Sequence, residues 1–364
     1  MRREKRPIAI ASRRHRDWTD PMGVGFLSAA LALTPVSLYT SEICLGHDPG
    51  NKGKLPDGQP NRHPEQVARL ERLLSAARNE WTADFGDTLK LQELECDVTE
   101  EQLLRVHSRK YLDRLNYLFA QSQRGPPFMR VNLDGDTVLS QGTAAAATRA
   151  AGLVVKAVED VLSTAPDTRR AFVMVRPPGH HAEADMGGGF CFYNNVLVGV
   201  AHAQAVHNIG RVAILDFDVH HGNGDSDISW CDPTRLYAST HEEALWPGTG
   251  ATWGCDGLHG QILSCPLPPG CGSKQFRAAW KKTLLPTIAE FEPEVIFLSA
   301  GFDAHLDDPL ASMELSDDDF EWITTEVAAL GGGNLPIVSV LEGGYNVDAL
   351  EGAVRAHLHA LINS

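Results

Sequence analysis

Apolar and polar positions along the chain follow two alternating rhythms. Short apolar runs recur at AFVMV (171–175), RVAILDFD (211–218), RLYAS (235–239), EVIFLS (294–299) and PIVSVL (336–341). Such near-continuous runs suit parallel strands covered on both faces. Between them lie stretches with helical spacing: Tyr193 to His207, Ser273 to Phe291, Ser316 to Leu330 and Val347 to Leu361. Upstream, a polar Gly/Pro-rich loop ending at Glu65 leads into a helix expected from about Pro64 to Ala77. A second helix is predicted over roughly Glu100 to Gln121, and an Ala-rich third from about Gly142 to Leu162. Strands alternating with helices predict a single α/β domain, a mostly parallel sheet with helices on both faces.

In such sheets, ligands bind outside the carboxyl ends of the strands. The runs above each lead into a polar or glycine-rich motif: RPPGHHAE, VHHGNG, THEE, AGFDAH and EGGYN. Separate segments therefore deliver their unusual residues to one edge. Asp216, Asp218 and His220 fall at alternate positions, which on a continuing strand would share one face. Two carboxylates and an imidazole packed together call for a cation between them, and all are ordinary zinc ligands. Gly222 and Gly224 read as a flexible turn ending the strand. Asp303, just past the next strand, is the natural third ligand, leaving positions open for water and a substrate oxygen.

His180 and His181 form a candidate acid/base pair, since imidazole can hold or release a proton near neutral pH. Asp216 and Asn223 are candidates to fix their second nitrogens. GGGFCFYNN lets backbone approach a ligand, with Phe190 as an apolar wall or, equally, a core residue; Trp246 carries the same two readings. Tyr345 could stabilise an oxyanion, although a Tyr after two glycines is more often core. Asp307 and Asp308 read as loop carboxylates before Pro309.

Composition narrows the setting. The 364 residues are 43% hydrophobic with a net charge of −15, which supports a sizeable core and argues against direct nucleic-acid binding. Seven cysteines without a CxxC pair give no disulfide framework and fit a reducing compartment. Residues 1–37 differ from the rest: an Arg-rich start and a short, Pro-interrupted apolar stretch. They read as a transit segment or as a start-site artefact with initiation at Met22, and not as a membrane span. Residues 38–364 would form the catalytic domain.

RPPGHHAE, GGGFCFYNN, DFDVHHGNG, PGTG, SAGFDAHLDDPL and LEGGYN, in this order, closely resemble the histone deacetylase family in its class II and bacterial amidohydrolase-like form. HPEQVARLERL (63–73) and VHSRKYL (106–112) match its amino-terminal motifs, so the resemblance runs from about residue 40 to the end. It implies the arginase–deacetylase fold and zinc-dependent hydrolysis of an acylated amine, either N-acyl-lysine in a protein or an acetylated polyamine. Carried over, Asp218, His220 and Asp303 match the zinc ligands. His180 and His181 match the tandem histidines, backed by Asp216 and Asn223, and Tyr345 matches the catalytic tyrosine. Gly189, Phe190, Trp246, Leu310 and Gly344 fall on the substrate tunnel, and Arg69 on an inner channel. The resemblance further implies a potassium ion held by backbone oxygens of Asp216, Asp218 and His220 with Ser239. A second would lie near Ser229, Asp232 and Arg235.

Departures from the pattern bear on substrate range. Asp225-Ser226 replaces the usual Thr-Gln, placing an extra acid by the site, and Trp246 stands where Phe or Tyr is commoner. An arginase-type dimanganese site lacks a ligand at Gly222. Leu310, in place of an acidic gatekeeper, favours acyl-lysine over polyamine. A non-catalytic acyl-lysine binder is disfavoured by the intact Tyr345, His180 and His181. The expected compartment is the cytoplasm, or the nucleus in a eukaryote, with organellar targeting by the extension as an alternative; an oligomer is open.

Overall fold

The computed structural model describes residues 33–54, 60–163, 166 and 168–364; the sequence expectations for residues 1–32 lie outside these. Nine strands form one sheet: β1 Val36–Thr40, β2 Leu89–Glu93, β3 Arg170–Val173, β4 Val212–Asp216, β5 Arg235–Glu242, β6 Gly254–Asp256, β7 Ile262–Leu267, β8 Val295–Ala300 and β9 Ile337–Leu341. Their order is β6-β7-β5-β4-β8-β9-β3-β1-β2, and every pair is parallel except β6 with β7. The central strands are buried along their whole length, as their unbroken apolar runs require. The mostly parallel α/β sheet predicted from the sequence is the one observed. The outer strands β1, β2, β6 and β7 went unrecognised. β2 (LKLQE) and β6 (GCD) carry too few apolar residues to read as strands.

Helices cover the sheet, among them α1 Ala68–Ala76, α2 Arg109–Arg124, α3 Thr143–Val161, α4 Asn195–His207, α5 Asn223–Ser229, α6 Asp317–Ala328 and α7 Val347–Asn363. Small residues set how closely they pack. A Cβ on Gly199 of α4 would lie 2.6 Å from Val154 of α3 and 2.9 Å from Phe297 of β8.

Two helices depart from expectation. α1 starts later than Pro64 and continues through a π turn, Ala77–Trp81, into Thr82–Phe85. The helix expected over Glu100 to Gln121 is split into Glu100–Leu103 and α2. Ser108 explains the break. Its backbone N–H donates to Ala184 O and its side chain accepts from Tyr111 N, so it caps a new helix rather than continuing the old one.

Four adjacent strands, β4, β8, β9 and β3, end on the same edge, and their following loops carry Asp218 and His220, Asp303, Tyr345, and the two histidines. No helix among the described residues is long and apolar enough to cross a membrane.

Candidate active site

β4 ends at Asp216, so Asp218 and His220 lie beyond the ladder. The strand-face argument for their convergence therefore fails, and side-chain-to-backbone hydrogen bonds do the turning. Asp216 Oδ1 accepts from Asp218 N (3.1 Å), Asp218 Oδ1 from His220 N (2.9 Å), and Asp303 Oδ1 from Val219 N (2.9 Å). This aims His220 Nδ1 between two carboxylates, 3.1 Å from Asp218 Oδ1 and 3.1 Å from Asp303 Oδ2. The glycines here serve close approach rather than flexibility. Gly222 has φ −72° and a Cβ on it would sit 2.3 Å from Asp216 Oδ2. A Cβ on Gly301 would lie 2.0 Å from Asp218 Oδ2, and one on Gly343 2.1 Å from Asp303 Oδ2.

One ligand atom each from Asp218, His220 and Asp303 lies within 4.8 Å of the others. Without a cation, burial works against a charge on His220, yet the two carboxylates hold its imidazole up to about 10. Burial disfavours ionised Asp218 as well, but His180 and His220 keep it well below the usual carboxylate range. The cluster thus demands positive charge at its centre, and its O, O, N donor set with a glycine cradle fits a zinc ion.

The two histidines pack 3.9 Å apart, ring centroid to centroid, in opposed surroundings. His180 Nδ1 meets Asp216 Oδ2 at 3.2 Å, and its Nε2 lies 3.8 Å from Asp218 Oδ2. Burial opposes its charge, but Asp218 and Asp216 hold it well above the usual imidazole range. His181 Nδ1 lies 2.8 Å from Asn223 Oδ1, while Asn223 Nδ2 donates to Glu183 Oε1 at 2.7 Å. That second bond fixes the amide orientation, so His181 Nδ1 donates and its Nε2 is left as a base. Burial, with His180 and His220 beside it, keeps His181 well below the usual range.

Above these groups opens a cavity of about 210 Å³, lined among others by His181, His220, Phe190, Trp246, Leu310 and Tyr345. Phe190 stands edge-on to Tyr345 (5.8 Å) and Trp246 edge-on to His181 (4.6 Å), so both aromatics wall the cavity. Gly189 has φ +54°, and a Cβ there would lie 2.4 Å from Trp246 and 2.5 Å from His181. Only glycine fits both constraints. The Tyr345 backbone N–H donates to Asp308 Oδ2 at 2.7 Å, so Asp308 does more than cap its turn: it places the tyrosine. Arg69 does not line this cavity. Its guanidinium donates to Gly344 O and Glu342 O, 2.6 Å each, and lies 4.9 Å from the Tyr345 ring centre.

Asp225 departs from expectation. It is fully buried, accepts from Asn194 Nδ2 (2.7 Å) and Ser299 Oγ (2.6 Å), and does not line the cavity. Burial pushes its carboxyl up to about 7. Ser239, paired with Asp216 across β5 and β4, has its hydroxyl 2.9 Å from His241 Nδ1. Among the described residues, buried Ser229 Oγ has no hydrogen-bond partner; Asp232 and Arg235, close by in the chain, form an ion pair at 3.2 Å.

Several site residues escaped the sequence reading. Glu342 Oε2 accepts from Gly179 N (2.6 Å) and His180 N (3.1 Å), pinning the histidine loop, and burial raises its carboxyl to about 8. Tyr237 donates to Asp216 Oδ2 at 2.9 Å. Lys52 and Asp136 line the cavity mouth, with Lys52 Nζ 5.5 Å from the Phe190 ring centre. Lys52 gave no signal because the sequence there reads as a polar loop, whereas the structure places it in a short strand, Asn51–Lys54.

One edge of a mostly parallel α/β sheet thus gathers an Asp-His-Asp cluster, two adjacent buried histidines and a tyrosine around one cavity. A family model for the histone deacetylase domain matches residues 63–361, and the chain belongs to that family. The chain is 34% identical over 335 residues to rice "Histone deacetylase 10, chloroplastic", covering 89% of this chain and 73% of that one. To the "Histone deacetylase-like amidohydrolase" of Pseudomonas aeruginosa it is 35% identical over 328 residues, with 85% and 81% coverage. It spans only 32% of Caenorhabditis elegans "Histone deacetylase 6", at 32% identity over 325 residues. The crystal structure of the HDA15 HD domain superposes with a TM-score of 0.77 at 30% identity, covering 90% of this chain and 91% of that one.

Proposed function

We propose that this chain is a zinc-dependent deacetylase that hydrolyses the acyl amide of N-acyl-lysine in proteins. The observation that carries this reading is the opposed setting of His180 and His181 beside the Asp218–His220–Asp303 cluster. One imidazole faces the Asp216 carboxylate and its neighbour the neutral Asn223 amide, at the base of an aromatic-walled cavity. A zinc ion held by Asp218, His220 Nδ1 and Asp303 would supply the Lewis acidity that an amide carbonyl and a water need at neutral pH. His181 Nε2 takes the proton of the attacking water. The Tyr345 hydroxyl donates to the developing oxyanion, and a protonated imidazole of the pair gives its proton to the leaving amine. Asp308 and Arg69 hold the Tyr345 loop, and Glu342 holds the histidine loop, so these three position rather than react. Phe190, Trp246, Gly189 and Leu310 confine the acyl-lysine stem, whereas Gly344, expected on the tunnel, does not line the cavity and serves to hold Arg69. Potassium beside Asp216, Asp218, His220 and Ser239 would be structural, and the unpartnered Ser229 hydroxyl supports a second such ion.

Hydrolysis of acetylated polyamines is the rival reading. Asp136 lining the cavity favours it, while Lys52 near it and the burial of Asp225 speak against it. A competition decides: zinc-loaded protein receives equimolar acetyl-lysine peptide and N-acetylputrescine, and both products are followed by mass spectrometry. Preferential loss from the peptide supports the proposal, and preferential loss from the polyamine replaces it. Turnover of neither points to a longer acyl group or to a non-catalytic binder. The proposed compartment is the cytoplasm, or the nucleus in a eukaryote; the chloroplastic rice relative makes an organelle the alternative to test by localisation.

A further inference from the structure

Away from the catalytic cavity, Glu159, His202 and His207 bring three ligand atoms within 4.8 Å of one another. Glu159 lies in the last turn of α3, and both histidines lie on α4, with His207 its final residue. Each helix runs back from the carboxyl edge of the sheet, so the cluster sits at the amino-terminal edge, opposite the catalytic residues.

Both imidazoles aim Nε2 at one carboxylate oxygen. His202 Nε2 hydrogen-bonds Glu159 Oε1, and His207 Nε2 lies 3.4 Å from the same atom. That second contact is misaligned. Among the described residues, buried His207 Nε2 makes no aligned hydrogen bond, only this ion-pair contact. A separation of 3.4 Å is also the spacing of two ligands on a tetrahedral ion with bonds of about 2.0–2.1 Å. The carboxyl ends of α3 and α4 both meet here, and their dipoles favour a cation.

We propose that Glu159, His202 and His207 form a second metal site, taking a divalent transition ion of the zinc, cobalt, nickel or copper class. Two imidazoles and a carboxylate suit these ions, and a fourth position stays open to water. The ion fastens the end of α3 to the end of α4, where Gly199 already brings the helices close.

Arg105 opposes binding and supplies a signature. Its Nη1 lies 3.2 Å from His202 Nδ1, and a guanidinium can only donate, so Nδ1 accepts and the proton sits on Nε2. For His202 to bind through Nε2, that proton must move to Nδ1 and Arg105 must turn away. Glu101, already bonded to Arg105 Nη2 at 3.0 Å, is there to keep it. Removing the Arg105 guanidinium should therefore tighten the site, which a plain ion-pair role for the cluster does not predict.

The test uses the full-length holoenzyme, its catalytic ion in place, titrated with Zn²⁺ by calorimetry and with Co²⁺ by visible absorption. The expected result is one further ion per chain, with a rise in melting midpoint on adding it. His207→Gln and Glu159→Gln should each weaken that ion by about tenfold or more while leaving deacetylase turnover unchanged. Arg105→Gln should bind it several-fold more tightly. A holoenzyme that takes no further ion, or a second ion that survives His207→Gln and Glu159→Gln alike, overturns the proposal. So does Arg105→Gln weakening the binding.

Discussion

His180 and His181 are neighbours of the same residue type, and their surroundings shift them in opposite directions. Asp218 and Asp216 favour a charge on the first; burial, with His180 and His220 beside it, disfavours one on the second, whose Nδ1 faces only the neutral amide of Asn223. A base works only when unprotonated, so the acid limb of kcat/KM should report His181 and lie below the ordinary imidazole value. Asn223→Asp tests this. A carboxylate facing Nδ1 favours the imidazolium, so the acid limb should move to higher pH, a shift read directly from the pH–rate profile. An unmoved limb would assign that limb to another group. Tyr345 makes a separate prediction. Its hydroxyl adds one donor to an oxyanion, typically worth about 3–4 kcal/mol, so Tyr345→Phe should lower kcat by a factor on the order of 10²–10³. Metal content by mass spectrometry should be unchanged, because the phenol is not one of the three converging ligand groups.

At the scale of elements, the central strands were legible in the sequence because they are buried on both faces and so must be apolar throughout. The Asp218–His220–Asp303 cluster was legible as a set of residues but not as a geometry. Spacing suggested a continued strand face, whereas three hydrogen bonds to backbone N–H groups bend the chain after Asp216. Glu342 gave no signal, while Asp308 reads from the sequence only as a turn carboxylate and Asp225 as an acid beside the site. Their work is done through backbone N–H groups and buried side chains far apart in sequence, which no local pattern records. Glycines at strand ends are a further case, since they mark crowding and not mobility. Gly301→Ala should push Asp218 out of place, because the new methyl would lie 2.0 Å from its Oδ2. A displacement on that scale can cost about 10²-fold in rate, and metal content should fall with it. A fully metallated, active Gly301→Ala protein would contradict this account of the cradle. Amino-terminal to α1, Glu65 joins three segments: it pairs bidentately with Arg176 after β3 (2.6 Å to each oxygen), with His47 after β1 (3.1 Å), and with Arg69 of α1 (3.4 Å). Burial works against its charge, but Arg176 and His47 hold its carboxyl well below the ordinary value of 4.5. The stability it contributes is therefore complete above pH 4.5 and lost as pH falls through the depressed value. Glu65→Gln should cost about 3–5 kcal/mol at neutral pH by leaving buried cations unpaired. Melts of both proteins across pH should show the gap closing in acid.

For the molecule as a whole, one sheet edge gathers the chemistry while the net charge of −15 acts on whatever approaches it. Acyl-lysine in a Lys- and Arg-rich segment is a cationic substrate, and a net negative field speeds the encounter of opposite charges. The effect cannot be assigned to the cavity mouth, where Lys52 and Asp136 carry opposite signs. It is long-range, and salt screens it: the Debye length shrinks from about 30 Å at about 0.01 M to about 10 Å at about 0.1 M. Two acetyl-lysine peptides should therefore diverge, one flanked by Lys and Arg and one by neutral residues. Over that salt range, kcat/KM for the cationic peptide should fall several-fold while the neutral peptide changes little, and kcat should be unaffected for both. Equal responses would mean that selectivity comes from the cavity walls, Phe190, Trp246 and Leu310, and not from the charge of the whole surface.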